Sequence, residues 1–186
     1  MSKRLMLIVL VAVLGFWLLG AYNRLVRLRN TLRVALSPLA AQLRQRHAVA
    51  LTLTETSRGR LVEAGHDELL AVTQASTQAA GAASDHVTLR PLRGDVLHQV
   101  AVAEVALVAA LDALGLALQD LTSGLGPDAA VSDLLRQRDA LRDQIAFSRQ
   151  VYNQAADEYN RAVRLFPTTL VAALFGFHAA PEFPPI

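Results

Sequence analysis

The chain has no cysteine in 186 residues. That excludes a disulfide framework, a thiolate zinc site, an iron–sulfur cluster and a thiol nucleophile, and it leaves the redox compartment unmarked. Aromatic residues are scarce at 5%, with one tryptophan, three tyrosines and six phenylalanines. Acidic residues are almost missing from the first third: residues 1–60 carry ten basic side chains and one acid, Glu55, whereas residues 61–186 carry eight basic and fifteen acidic. The formal charge of +2 therefore hides a basic front and an acidic remainder. What the chain has in abundance is hydrophobic residues, 53%, among them 32 alanines and 33 leucines. That composition favours helix and excludes a disordered, low-hydrophobicity chain.

Residues 5–22 (LMLIVLVAVLGFWLLGAY) hold no charge. As a helix they span about 27 Å, close to the roughly 30 Å of a bilayer core. Lys3 and Arg4 on one side and Trp17 and Tyr22 toward the other suit interfacial anchors. A cleaved signal peptide is the rival reading, but the run is longer than a signal's apolar region, and Leu19-Gly20-Ala21 is a poor cleavage site. A retained transmembrane anchor is expected. Arg24, Arg27, Arg29 and Arg33 follow it undiluted by acids, so the positive-inside rule places the bundle on the cytoplasmic side and the short N-terminus outside.

Apolar positions in the remainder step by three and four, and no alternating strand run occurs. Leu25, Leu28, Leu32, Leu36, Leu39 and Leu43 continue the membrane helix into the first aqueous one, where Pro38 either kinks the helix or restarts it. A second helix is predicted over residues 61–82, with a small, polar and weakly burying stretch at 73–83, and residues 81–94 read as a turn. A third helix carries Val96, Val100, Ala103, Leu107, Leu114 and Leu118 and ends at Gly124-Leu125-Gly126-Pro127. The fourth covers about residues 129–166, with a heptad seam through Leu141, Ile145, Ser148, Tyr152, Tyr159 and Phe166; Pro167 stops it, and a short apolar piece at 168–175 ends before Gly176. The expected fold is all-α, an antiparallel four-helix bundle of long helices following one N-terminal transmembrane helix. It divides as 1–22 anchor, 23–166 bundle, and 167–186 short helix and tail. An intermolecular coiled coil is the competing architecture, and a homo-oligomer is compatible with these stripes.

Residues that might carry chemistry do not converge. The five histidines, His47, His66, His86, His98 and His178, form no i,i+4 pair and have no carboxylate at ligand spacing, so neither a metal nor another cofactor is expected. Ser84, Asp85 and His86 are consecutive and cannot assemble a triad. Asp133, Asp139 and Asp143 stand among Arg136, Arg138 and Arg142 off the apolar seam, as on a solvated, salt-bridged face. Nucleic-acid binding is not expected, because Tyr22 is the only aromatic between Trp17 and Phe147 to interleave the basic stretch. Attraction of Arg24, Arg27, Arg29 and Arg33 to anionic lipid headgroups is physically sounder, alongside packing of the basic first helix against the acidic later ones. The Tyr-Asn pairs at 152–153 and 159–160 lie one heptad apart and share a face. They read either as amphipathic rings packed at a bundle interface or as part of a partner-docking surface.

Both ends of the chain resemble the LemA family of bacterial membrane-anchored helical proteins. The resemblance rests on the anchor followed by Tyr22-Asn23-Arg24-Leu25-Val26-Arg27-Leu28-Arg29-Asn30, on Gln42-Leu43-Arg44-Gln45-Arg46 and on Glu55-Thr56. Toward the end it rests on Gln144-Ile145-Ala146-Phe147-Ser148-Arg149-Gln150-Val151-Tyr152-Asn153, Tyr159-Asn160, Phe166-Pro167, Leu174-Phe175-Gly176-Phe177 and Phe183. The chain departs from the family at Leu36, where a tryptophan is usual, near Pro38, where an acid is usual, and at Leu51-Thr52, where Pro-Asn is usual. The resemblance implies a four-helix antiparallel bundle on one membrane helix, with the N-terminus outward, and brings no established activity or catalytic residue.

The expected function is accordingly non-enzymatic: a single-pass anchored bundle in the bacterial cell membrane, serving as a scaffold or protein-docking module. Its candidate partner-facing residues are Tyr152, Asn153, Tyr159, Asn160, Phe175 and Phe177. The alternative is a lipid-binding or envelope-organising protein acting through Arg24, Arg27, Arg29 and Arg33.

Overall fold

The computed structural model describes residues 3–59, 61, 66–84, 94–125 and 128–186, with backbone alone at 84 and 121–125. Among these residues there are five helices and no strand: α1 (Lys3–Ser57), α2 (His66–Ser84), α3 (Gly94–Leu125), α4 (Ala129–Arg164) and α5 (Thr168–Phe175). The chain is an all-α helical bundle in which α1 packs most extensively on α4 and α2 on α3, while α1 also meets α2 and α5.

The apolar segment and the first aqueous helix are one element of 55 residues. Nothing interrupts α1 at the 22–23 boundary or at Pro38, which resolves the choice left open by the sequence in favour of a continuous helix. Pro38 and Val34 are both exposed, so the turn where the proline removes a helical hydrogen bond lies on the outer side of α1, away from the core. Thr31, Thr52 and Thr54 bond back to the carbonyls of Arg27, Ala48 and Ala50 at 3.2, 3.0 and 2.9 Å, which satisfies their hydroxyls within the helix.

Second-helix expectations shift by a few residues. Leu61 lies outside any helix, its N–H donating to the Ser57 carbonyl at 3.1 Å, and α2 begins at His66. The small-residue stretch is helical and still buries Ser76 and Ala79. Of the predicted turn, residues 81–84 belong to α2, while 85–93 lie outside the described residues. The ends of α4 follow local chemistry. Oδ1 of Asp128 accepts from the amides of Ala130 and Val131 at 2.8 and 3.3 Å, capping the N-terminus. The helix stops at Arg164, two residues short of Phe166, so Phe166 leaves the heptad seam and is 77% exposed. Gly176, with φ of 69°, closes α5 in the left-handed conformation that glycine adopts without penalty.

Two core clusters follow one another along the bundle. The first joins Leu25 to Leu43 of α1 with Tyr152 and Tyr159 of α4, and with Phe177 and Phe183 beyond α5. Residues 167–186 are thus part of the core rather than an appendage. The second joins Ala50 and Leu53 of α1 with Val72 of α2, Leu107 to Leu118 of α3 and Val131 of α4. Across α3 and α4, Arg142 forks onto both carboxylate oxygens of Asp112 at 2.9 and 2.8 Å, and Arg138 donates to the Leu111 carbonyl at 3.1 Å. Asp133 and Asp139 pair with Arg136 and Arg138 on the exposed face of α4.

Candidate functional site

Residues 5–19 of α1 stand almost wholly exposed, and the window they dominate has a mean hydropathy of 2.5, long and apolar enough to cross a membrane. The arginines come directly after. Arg24, Arg27 and Arg33 are exposed and Arg29 is half-buried. Arg29 and Arg33 line an open cavity of about 390 Å³ together with Tyr22, Asn30, Phe175 and Phe177. Its aromatic wall is built by Tyr22, whose ring centroid lies 5.0 Å from that of Phe175 and 5.8 Å from that of Phe177. The Nε of Arg29 is buried with no hydrogen-bond partner, an unused cationic donor beside an apolar wall. Such a cavity suits an anionic oxygen carried by a molecule with an apolar body.

Of the two readings of the Tyr-Asn pairs of α4, the side chains take the positions of interface packing, with the asparagines bonded to the chain's own tail. Asn160 bonds to both the amide and the carbonyl of Ala180, and Asn153 does the same with Phe183. Between them the Tyr152 hydroxyl donates to the Pro181 carbonyl at 3.0 Å. The spacing explains the fit: seven residues of helix rise about 10.5 Å, and three residues of extended chain cover about 10 Å. One heptad of α4 therefore matches the step from Ala180 to Phe183, and the chain's own tail occupies the asparagine row. Tyr152 and Tyr159 are fully buried. Burial pushes the Tyr152 hydroxyl up to about 12, and raises Tyr159 against a smaller lowering by the nearby Arg29 charge. Of the six residues expected to face a partner, Phe175 is exposed, the two asparagines are committed to the tail, and Tyr152, Tyr159 and Phe177 are buried.

One polar cluster has no counterpart in the sequence-based expectations. Glu104 of α3 is completely buried; Nη2 of Arg46 donates to its Oε2, and Nε2 of His47 lies 2.6 Å from its Oε1. A carboxylate offers only acceptors, so the imidazole N–H is the donor. The cluster sits where the first core cluster gives way to the second. A cavity beside Arg46 has a volume of about 10 Å³, room for one water at most. This is the arrangement of a buried ion pair within the packing, with no space for a substrate. The signal for it was a single acid inside the apolar run at 100–111, facing an Arg-His pair that continues the leucine stripe of α1. Among the described residues no group of three or more metal-ligating side chains converges.

A family model matches residues 35–184, most of the chain, and its description is LemA family. The chain belongs to the LemA family. No curated protein matches it. The LemA match takes in the tail clamp and the Arg46–Glu104–His47 cluster, and begins after Arg24, Arg27, Arg29 and Arg33. Family membership thus covers the bundle and its tail, whereas the reading of the basic base rests on the geometry of this chain.

Proposed function

We propose that this LemA-family protein is a single-pass, non-catalytic membrane protein whose antiparallel four-helix bundle is held against an anionic lipid surface by its basic base, organising the envelope at that face. The observation that carries the reading is the unbroken passage of α1 from the apolar segment into the exposed arginines. Counted from Tyr22 at 1.5 Å per residue, Arg24 and Arg27 lie about 3 and 8 Å beyond the hydrocarbon, and Arg29 about 10 Å. The headgroup layer is some 5–8 Å deep on each side, so the first two fall within it and the long Arg29 side chain reaches it. The lining of the cavity runs from Tyr22 at the hydrocarbon edge through Arg29 to Arg33, about 16 Å beyond it.

The antiparallel arrangement draws support from the core. Leu25 to Leu43 share their cluster with Leu97 and Val100 at the start of α3 and with Tyr152 to Ala162 late in α4; Leu53 shares its cluster with Leu107 to Leu118 and with Val131 at the start of α4. Docking of a protein partner on the Tyr-Asn row is the weaker reading, since a partner would first have to displace the tail.

The test uses the full chain in vesicles of mixed zwitterionic and anionic lipid. Spin-labelled anionic lipid should gather at the protein in preference to zwitterionic lipid, with the preference abolished by changing Arg24, Arg27, Arg29 and Arg33 to Gln and weakened at 1 M salt. Equal recruitment of both lipids would sink the reading. In cells, the C-terminus should resist protease added outside.

A further inference from the structure

Five large apolar side chains stand exposed within eleven residues at the end of α4 and along α5: Leu165 at 56%, Phe166 at 77%, Leu170 at 58%, Leu174 at 72% and Phe175 at 53%. Soluble proteins expose apolar residues singly, and a cluster of this size marks a surface meant to be covered. Apart from Phe175, whose ring packs on Tyr22, these residues are not among those that bury α5 against the bundle. The helix is only eight residues long, too short to be helical alone, and it is held by Thr168, Val171 and Ala172 on its inner side. Leu170 and Leu174, one turn apart, form the opposite face. An ordinary surface helix would carry polar residues there.

Position in the bundle says what covers this face. The Phe175 ring touches Tyr22, the last residue of the apolar segment of α1, so α5 lies at the level where that segment emerges. Its surroundings are basic: Arg161 and Arg164 in the last turn of α4 and Arg24 and Arg27 on α1 are all exposed. No acidic residue occurs between Glu158 and Glu182, or between the N-terminus and Glu55. An apolar face on a stretch of chain that carries exposed arginines and no acid, continuous with a membrane-length helix, is complementary to the boundary between acyl chains and anionic headgroups.

We propose that α5, with Leu165 and Phe166, is inserted into the interfacial layer of the bilayer that residues 5–22 cross. This gives the chain a second, apolar membrane contact beside its anchor. The inference rests on the membrane reading above but differs from the arginine attraction in kind: it depends on apolar burial and survives high salt.

The absence of native cysteine allows a direct test. The Leu174→Cys variant of the full chain, labelled with an environment-sensitive fluorophore and reconstituted in vesicles containing anionic lipid, is compared with Leu116→Cys on the exposed face of α3. The Leu174 label should be quenched by lipids spin-labelled high on the acyl chain, and its quenching by aqueous iodide should be severalfold weaker than at Leu116, at low and at high salt alike. Iodide quenching equal to that at Leu116 overturns the proposal. So does protection from iodide without quenching by the lipid label, which would mean that a second copy of the chain covers the face. Leu170→Cys repeats the measurement in case the label at 174 disturbs folding, which circular dichroism would reveal. Alkaline carbonate extraction separates the two levels. A chain that washes off the vesicles refutes the anchor and α5 insertion together, and a chain that stays while the Leu174 label is wet refutes α5 insertion alone.

Discussion

Asn160 and Ala180 exchange both of their polar groups: Nδ2 of the side chain donates to the Ala180 carbonyl at 2.9 Å, and Oδ1 accepts the Ala180 amide at 2.7 Å. Asn153 and Phe183 repeat the pattern one heptad away. A side-chain amide can offer a donor and an acceptor in one plane, so each asparagine takes the place of a neighbouring strand for one tail residue. The tail is therefore fixed through its main chain, with Phe183 supplying the buried ring.

Replacing Asn160 by Ala leaves the Ala180 amide and carbonyl without partners and should cost about 1–3 kcal/mol, read as a lowered Tm. Amide exchange should quicken at Ala180 while Phe183, still held by Asn153, stays protected. Equal acceleration at both residues would mean that the two asparagines act as a single unit.

The Tyr152 hydroxyl titrates near 12 in the folded chain because burial disfavours the phenolate, whereas an unfolded tyrosine titrates near 10. The folded-state value is raised, so this contribution to stability is complete below about pH 10 and is lost as pH climbs to about 12. The expected outcome is a fall in denaturant midpoint over that interval, reduced in Tyr152→Phe. A variant with the same alkaline profile as the parent would show that another group governs it.

Glu104 is the only acid facing the buried Arg46 among the described ion pairs. Its replacement by Leu strands a cation in the core, and a loss of about 3–5 kcal/mol is expected in chemical denaturation. Pairing that change with Arg46→Leu should restore much of the loss, since two well-packed apolar residues tolerate the interior better than one unpaired charge. Failure of the double variant to recover would place the importance of the cluster in His47.

Gly115 of α3 is tied to Arg138 by space: a Cβ built there would lie 2.7 Å from its Nη1. Alanine would gain up to about 1 kcal/mol in helix propensity but would push aside the guanidinium that bonds the Leu111 carbonyl. Gly115→Ala should thus be close to neutral in the parent and stabilising in an Arg138→Ala background. Additive effects in that cycle would contradict the steric link.

Much of the bundle was legible because burial follows helical spacing. Of the residues the heptads selected, Leu25, Leu32, Leu36, Leu39 and Leu43 on α1 and Leu141, Ile145, Ser148, Tyr152 and Tyr159 on α4 are buried, while Leu28, Leu134, Arg138 and Ala155 are half-buried at the edge of the stripe. The seam misplaced Phe166 because a heptad continues in sequence after the helix that supports it has ended at Arg164. Polar residues were harder to read. His47 gave no signal by local spacing, as its carboxylate lies 57 residues away on another helix. The asparagine row could be seen as a face of α4, but its ligand could not. Nothing in residues 177–186 shows by periodicity that an irregular tail returns along that helix.

The 55 residues of α1 contain no break between the apolar segment and the far end of the bundle. With the segment in a bilayer, the bundle cannot rotate about a hinge; it leans with its stem. Ser57 lies about 52 Å of helix rise beyond Tyr22, so a tilt of about 20°, ordinary for a transmembrane helix, carries the far end about 18 Å sideways. A tilt set by the interfacial anchors at the stem would in this way become sideways reach at the protein's distal end.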